Sequence, residues 1–159
     1  MTERLWAPWR MEYVTAGVDK PGCIFCAGPE ASDEESLIVH RGRRCYVLMN
    51  LYPYSSGHLM VAPYRHVAEP GDLETDERAE MWESLDRALA VLREVLAPHG
   101  FNAGLNLGPV AGAGVEDHIH LHVVPRWNGD TNFMPVLADV KVMPEHLRRT
   151  AERIRSAWA

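Results

Sequence analysis

Hydrophobic and polar positions along the chain change period twice. Short β-like runs come first. Residues 36–40 and 45–49 flank Arg41-Gly42-Arg43, which reads as a hairpin turn. Residues 50–57 form a polar loop holding Pro53 and Gly57, and residues 58–64 make a third apolar run. From residue 75 to 96 the period becomes helical. Met81, Leu85, Leu89, Leu92 and Leu96 recur at steps of three or four, with Asp76, Glu77, Glu80, Glu83 and Asp86 mostly on the other face. Thr75 is the expected N-cap, the acidic first turn suits the helix dipole, and Pro98 and Gly100 stop the helix. Residues 101–107 then alternate strictly, residues 108–117 are a glycine-rich loop, and residues 118–125 read as a further strand. Pro144 opens a last helix with Leu147, Ala151, Ile154 and Trp158 on one stripe. Residues 1–34, punctuated by Pro and Gly, read as irregular. Successive antiparallel strands with only two helices predict an α+β fold with a sheet of about five strands.

Length and composition narrow the class. The 159 residues suit one domain: an irregular segment 1–34, a core 35–135 and a C-terminal helical segment 136–159. Apolar residues at 47% and charged residues at 24% are globular values. A formal net charge of −6 argues against a broad nucleic-acid-binding face. Two stretches free of charged residues, 45–64 and 95–115, are broken by Pro53, Gly57, Pro98, Gly104 and Gly108, so neither reads as a membrane span. The N-terminus lacks the apolar core of an export signal, and three cysteines cannot all pair within one chain. A cytoplasmic protein with reduced thiols is expected.

The chemistry concentrates in Asp117-His118-Ile119-His120-Leu121-His122-Val123-Val124. On a strand, His118, His120 and His122 stand in one row and Ile119, Leu121 and Val123 in the opposite one. The apolar row fixes the register, because a one-residue slip would drive the imidazoles into the core. Such a row can be a metal-ligand set, a nucleophile with its supporting groups, or polar residues on a wet face. Alternate residues on a strand lie roughly 6.5–7 Å apart. Three ligands at about 2 Å from one zinc need tighter convergence. The spacing suits a single nucleophile, His120, flanked on both sides. A neutral imidazole attacks phosphorus through one nitrogen when the other holds its proton toward a fixed acceptor. The preceding loop, with Gly108, Gly112, Gly114 and Val115, offers backbone N–H groups to an anion.

A second motif, Cys23-Ile24-Phe25-Cys26, can be half of a zinc site, a redox pair or two plain thiols. Cys45 lies in an apolar run and reads as core, Trp82 and Trp158 as helix packing residues, and His40, His99 and His146 as surface histidines. Trp127 reads as a stacking platform for a base or as an interface anchor.

The histidine row, followed by Pro125-Arg126-Trp127, resembles the motif of the histidine triad superfamily of nucleotide hydrolases and transferases. Residues 49–63 resemble its ribose-binding strand and loop, and Gly104-Leu105-Asn106-Leu107-Gly108 its strand ahead of the phosphate loop. Leu5-Trp6-Ala7-Pro8-Trp9-Arg10 and the segment 127–133 are similar to the branch of bacterial diadenosine tetraphosphate phosphorylases. The resemblance implies a homodimer with one sheet across the two-fold axis and a nucleotide or dinucleoside polyphosphate as ligand. It implies His120 as nucleophile, His122 as the group assisting the leaving oxygen, Asn50 at the ribose, Asn106 near the phosphate and His58 in support. It also implies a structural zinc held by Cys23, Cys26, His66 and His118, which takes His118 out of the chemistry. Gly114-Val115-Glu116-Asp117 stands where many hydrolases of the superfamily carry Gln or a hydroxyl residue. Phosphorolysis of diadenosine tetraphosphate to ATP and ADP is therefore expected, with Arg126 or a main-chain N–H holding the acceptor phosphate. Hydrolysis of dinucleoside polyphosphates or phosphoramidates is the alternative reaction. A non-catalytic nucleotide-binding protein is the alternative class.

Overall fold

The apolar runs predicted at 45–49 and 58–64 are buried on both sides, which makes them the centre of the sheet. The computed structural model describes residues 22–130 and 145–158. In chain order the elements are α1 (Ile24–Ala27), a 3-10 turn (Gly28–Glu30), α2 (Asp33–Ser36), β1 (Ile38–Arg41), β2 (Cys45–Met49), β3 (Leu59–Pro63), α3 (Thr75–Leu96), β4 (Gly100–Leu105), β5 (Leu121–Arg126) and α4 (Leu147–Trp158). The five strands pair antiparallel, as the pattern predicts, and their order is β1-β2-β3-β5-β4. Readings placed on the N-terminal tryptophans, on residues 131–133 and on Pro144 fall outside the described residues.

Side-chain parity divides the core. Cys45, Val47, Met49, Leu59, Val61, Ile119, Leu121 and Val123 face the helices and pack with Met81, Ala88, Leu92, Ile154 and Trp158. Tyr46, Leu48, Met60 and Ala62 face the other way and pack with Phe25 and Ile38. Alternation along residues 118–123 therefore sends the imidazoles to the Phe25 side. Register aligns Leu48, Met60, His122 and Gly104 across four strands.

Five expectations are corrected. Residues 22–36 are not irregular: they form α1, the 3-10 turn and α2, the last capped by Ser32, whose side chain accepts the Glu35 N–H at 3.3 Å. Glu74, not Thr75, caps α3, because Glu77 reaches back to accept the Glu74 N–H at 2.8 Å in a capping box. Glu77 is also buried rather than solvated. The Arg65 guanidinium beside it, at 2.6 and 3.0 Å, holds its carboxyl below the usual range. Trp82 is 63% exposed and contributes nothing to the core, whereas His40 is half-buried and stacks on Trp158 at 5.1 Å.

Gly57 sets up the turn that leads through His58 into β3. Its φ is +76°, and a Cβ there would lie 2.3 Å from Leu96 Cδ1 and 3.2 Å from Leu92 Cδ2. The positive φ favours glycine, and an added methyl would also have to displace the ends of the Leu96 and Leu92 side chains of α3. Gly57→Ala should lower stability by about 1–3 kcal/mol in chemical denaturation, through overpacking and a left-handed alanine. Gly71→Ala, at a position with open space around it, should be near neutral. Equal effects at the two sites would refute this account of Gly57.

Candidate active site

The ladder of β5 begins at Leu121, so His118 and His120 lie on the approach to the strand rather than inside it. The Ile119 N–H donates to Val67 O at 2.7 Å, which holds the approach in place without a strand partner. All three imidazoles are buried, together with His58.

Backbone carbonyls assign the protons of the first two rings. His118 Nε2 lies 2.9 Å from Pro63 O and His120 Nδ1 lies 2.8 Å from His118 O. A carbonyl only accepts, so each of these nitrogens carries the proton. His120 is left with its lone pair on Nε2, and His118 with its lone pair on Nδ1. Burial pushes both rings below the ordinary histidine value, so both are neutral near pH 7.

A second relay fixes His122. The Tyr54 N–H donates to His58 Nδ1 at 3.0 Å. His58 must then carry its proton on Nε2, which lies 2.9 Å from His122 Nδ1. His122 Nδ1 accepts and His122 Nε2 carries the proton, which requires the Asn106 amide, whose nitrogen lies 3.4 Å from it, to be turned so that Oδ1 accepts. The two neighbouring rings, 4.8 Å apart and T-shaped, therefore differ in tautomer: His120 presents a lone pair and His122 a proton. That is the pairing needed for attack on phosphorus with assistance to a leaving oxygen. Tyr54 stacks on His58 at 5.1 Å and steadies the relay.

His118 joins a different cluster. Its Nδ1 lies 3.3 Å from Cys23 Sγ and 3.6 Å from Cys26 Sγ, and His66 Nδ1 lies 3.3 Å from Cys26 Sγ. The four donor atoms lie within 4.8 Å of one another. A tetrahedral zinc with bonds of about 2.0–2.3 Å separates its ligand atoms by roughly 3.3–3.8 Å, so the donor set fits that ion. The Pro63 carbonyl supplies the outer partner that orients a ligand histidine, and Asp117 lies 3.7 Å from His66 Nε2 on the other side. The structure brings together all four residues named for the metal.

A cavity of about 910 Å³ opens on the imidazoles. Its lining includes Asn50, Gly112, Gly114, Val115, His120 and His122, so most residues named for substrate share one space. Asn50 Oδ1 accepts the Tyr52 N–H at 2.9 Å, which orients the amide at the cavity edge. His58 and Asn106 are not lining residues; each contacts His122 instead. Arg126 does not reach the site. It sits at the far end of β5, held by Asp130 at 3.0 Å and Asn102 at 2.8 Å, so it is not the acceptor clamp expected from sequence. The sequence reading passed over Phe25, which packs on His120 at 4.5 Å, and Leu48 and Met60, which floor the cavity. For Leu48 and Met60 the only signal was strand parity with the histidine row, and for Phe25 there was none.

An antiparallel five-stranded sheet presenting this imidazole row to a nucleotide-sized cavity defines a histidine triad protein. The chain belongs to that family: residues 31–129 match the HIT domain. It is 46% identical to a Mycobacterium tuberculosis protein named AP-4-A phosphorylase, over 99% of this chain and 85% of that one. A Dictyostelium discoideum bis(5'-adenosyl)-triphosphatase is 36% identical over 51% of this chain and 54% of its own length. Among solved structures, a zinc-bound histidine triad family protein from Mycobacterium smegmatis superposes with a TM-score of 0.68 at 26% identity, over 86% of this chain and 93% of that one.

Proposed function

We propose that the protein transfers a nucleotidyl group through His120 and uses inorganic phosphate as the second acceptor, converting diadenosine tetraphosphate and phosphate to ATP and ADP. The observation that carries this reading is the opposite tautomer of the two neighbouring rings, set by His118 O on one side and the Tyr54–His58 relay on the other. His120 Nε2 attacks the α-phosphorus, a P–N bond forms, and the P–O bond to the triphosphate end breaks as ATP leaves. The His122 N–H supports the departing oxygen. A phosphate oxygen then attacks the same phosphorus, the P–N bond breaks, and ADP leaves with His120 restored. Rate in such chemistry comes from positioning and from preorganised donors. The 46% identity to a protein named for the phosphorolytic reaction supports phosphate over water.

His120→Ala should lower turnover by several orders of magnitude with the fold retained, as nucleophile removal does. With the wild type, phosphate should accelerate consumption of diadenosine tetraphosphate and give ATP and ADP. ATP and AMP formed at a rate indifferent to phosphate would replace this reading with hydrolysis.

The knuckle of Cys23 and Cys26, closed by His66 and His118, is the seat of a structural zinc in this reading. With four protein donors it leaves no open position for substrate. Protein prepared without chelator should contain about one zinc per chain, and stripping it should lower the melting temperature. Metal-free protein of unchanged melting temperature would remove the zinc.

A homodimer through β4 completes the proposal. That strand is the sheet edge, and Asn102, Ala103 and Gly104 are exposed along it, an open ladder that a second copy would extend. Light scattering should return twice the mass of one 17.9 kDa chain. A monomer at micromolar concentration would exclude this dimer.

A further inference from the structure

The metal cluster and the nucleophile meet at one residue. Phe25 lies between the two thiols of the knuckle and is fully buried. Its ring packs on His120 with centroids 4.5 Å apart and planes 31° apart, and on His118 at 5.2 Å. The main chain of the knuckle is tied to the sheet from below: the buried Tyr46 hydroxyl donates to Phe25 O at 2.7 Å. The Cys23 carbonyl accepts both the Cys26 and Ala27 N–H groups at 3.1 Å and closes the turn.

Besides the edge contact with His122 at 4.8 Å, His120 has two restraints of different kind that lead into the knuckle. The bond from Nδ1 to His118 O fixes one point in the ring plane but leaves the ring free to rotate about it. The face contact with Phe25 fixes the plane and, being a face contact, leaves the in-plane lone pair on Nε2 uncovered. Both restraints lead back to the same four donors, because His118 is one of them and Phe25 sits between two others.

We propose that Phe25 is a positioning residue for His120 and that, through it, occupancy of the Cys23–Cys26–His66–His118 site is coupled to formation of the nucleotidyl-histidine bond. The inference rests on the nucleotidyl-transfer and zinc readings above. In it the metal contributes nothing to the chemistry directly. It holds the turn that presses the Phe25 ring onto the imidazole, so losing it loosens the nucleophile before it unfolds the domain. A reacting group displaced by about 1 Å loses on the order of 100-fold in rate, and loss of outer-shell support at metal sites costs about 10–100-fold.

The test uses zinc-loaded protein and three measurements: zinc per chain, the single-turnover rate of adduct formation from diadenosine tetraphosphate, and the rate at which diethyl pyrocarbonate modifies His120, read by peptide mass spectrometry. Phe25→Ala should keep its zinc, form adduct about tenfold more slowly and expose His120 to faster modification, within the range for lost positioning. Phe25→Leu should recover most of both rates. Removing zinc from the wild type should slow adduct formation and speed modification by similar factors, while removing it from Phe25→Ala should add little, as expected for two changes acting on one interaction.

Additive losses, or stripped wild type with unchanged rates, would overturn the coupling. Should the stripped protein unfold, Tyr46→Phe decides. It retains zinc but frees the knuckle from the sheet, so it should show slower adduct formation and faster modification of His120, and wild-type values for both would overturn the coupling. A wild type that forms no adduct on any histidine refutes the nucleotidyl-transfer reading instead. One that carries no zinc refutes the metal reading and the coupling with it.

Discussion

The structure depends on one alternation. Ile119, Leu121 and Val123 are packed into the helix-side core, and this leaves the intervening imidazoles no place but the opposite face. The apolar row is therefore what aims the histidines. Burying three such side chains stabilises the register by about 1.5–3 kcal/mol each, well above the cost of burying neutral imidazoles that keep their hydrogen bonds. Register then delivers the rest: Met60 lies opposite His122 on one side and Gly104 on the other, so His122 has an apolar wall on one flank and space on the other.

Identical residue types take three roles because each ring is given a different partner. His118 meets a carbonyl on Nε2 and thiols on Nδ1. His120 meets a carbonyl on Nδ1. His122 meets another imidazole on Nδ1. In a neutral imidazole one hydrogen bond decides both nitrogens, so fixed acceptors and donors around the row set lone pair against proton. Burial, which disfavours the imidazolium, reinforces the assignment at His118 and His120.

Much of this was legible in the chain. Period alone located β1, β2, β3 and α3 and the final apolar stripe, because each buries a full face. The metal set was reached through the family resemblance, since His66 lies forty residues from Cys26 and nothing local ties them. What stayed hidden was contact information. Glu77 reads as one more acidic surface residue until Arg65, twelve positions away, is placed beside it. Arg126 reads as an anion clamp until Asp130 and Asn102 are seen to occupy its guanidinium. Phe25 reads as a spacer between two cysteines, because its contact is with a histidine ninety-five residues later in the chain.

Charge shows why the site is built on tautomers. The protein carries a formal charge of −6, and the described residues that line the cavity include Glu35, Glu116 and Asp117 but neither lysine nor arginine. What the described lining offers a polyphosphate is donors whose hydrogens are already aimed, such as the His122 N–H, and the shape of a largely apolar cavity floored by Leu48 and Met60. Neutral donors stabilise charge as it moves between oxygens without binding the resting anion so tightly that product is retained. On this logic the value of the Tyr54–His58–His122 relay and of the His118 carbonyl lies in direction rather than charge.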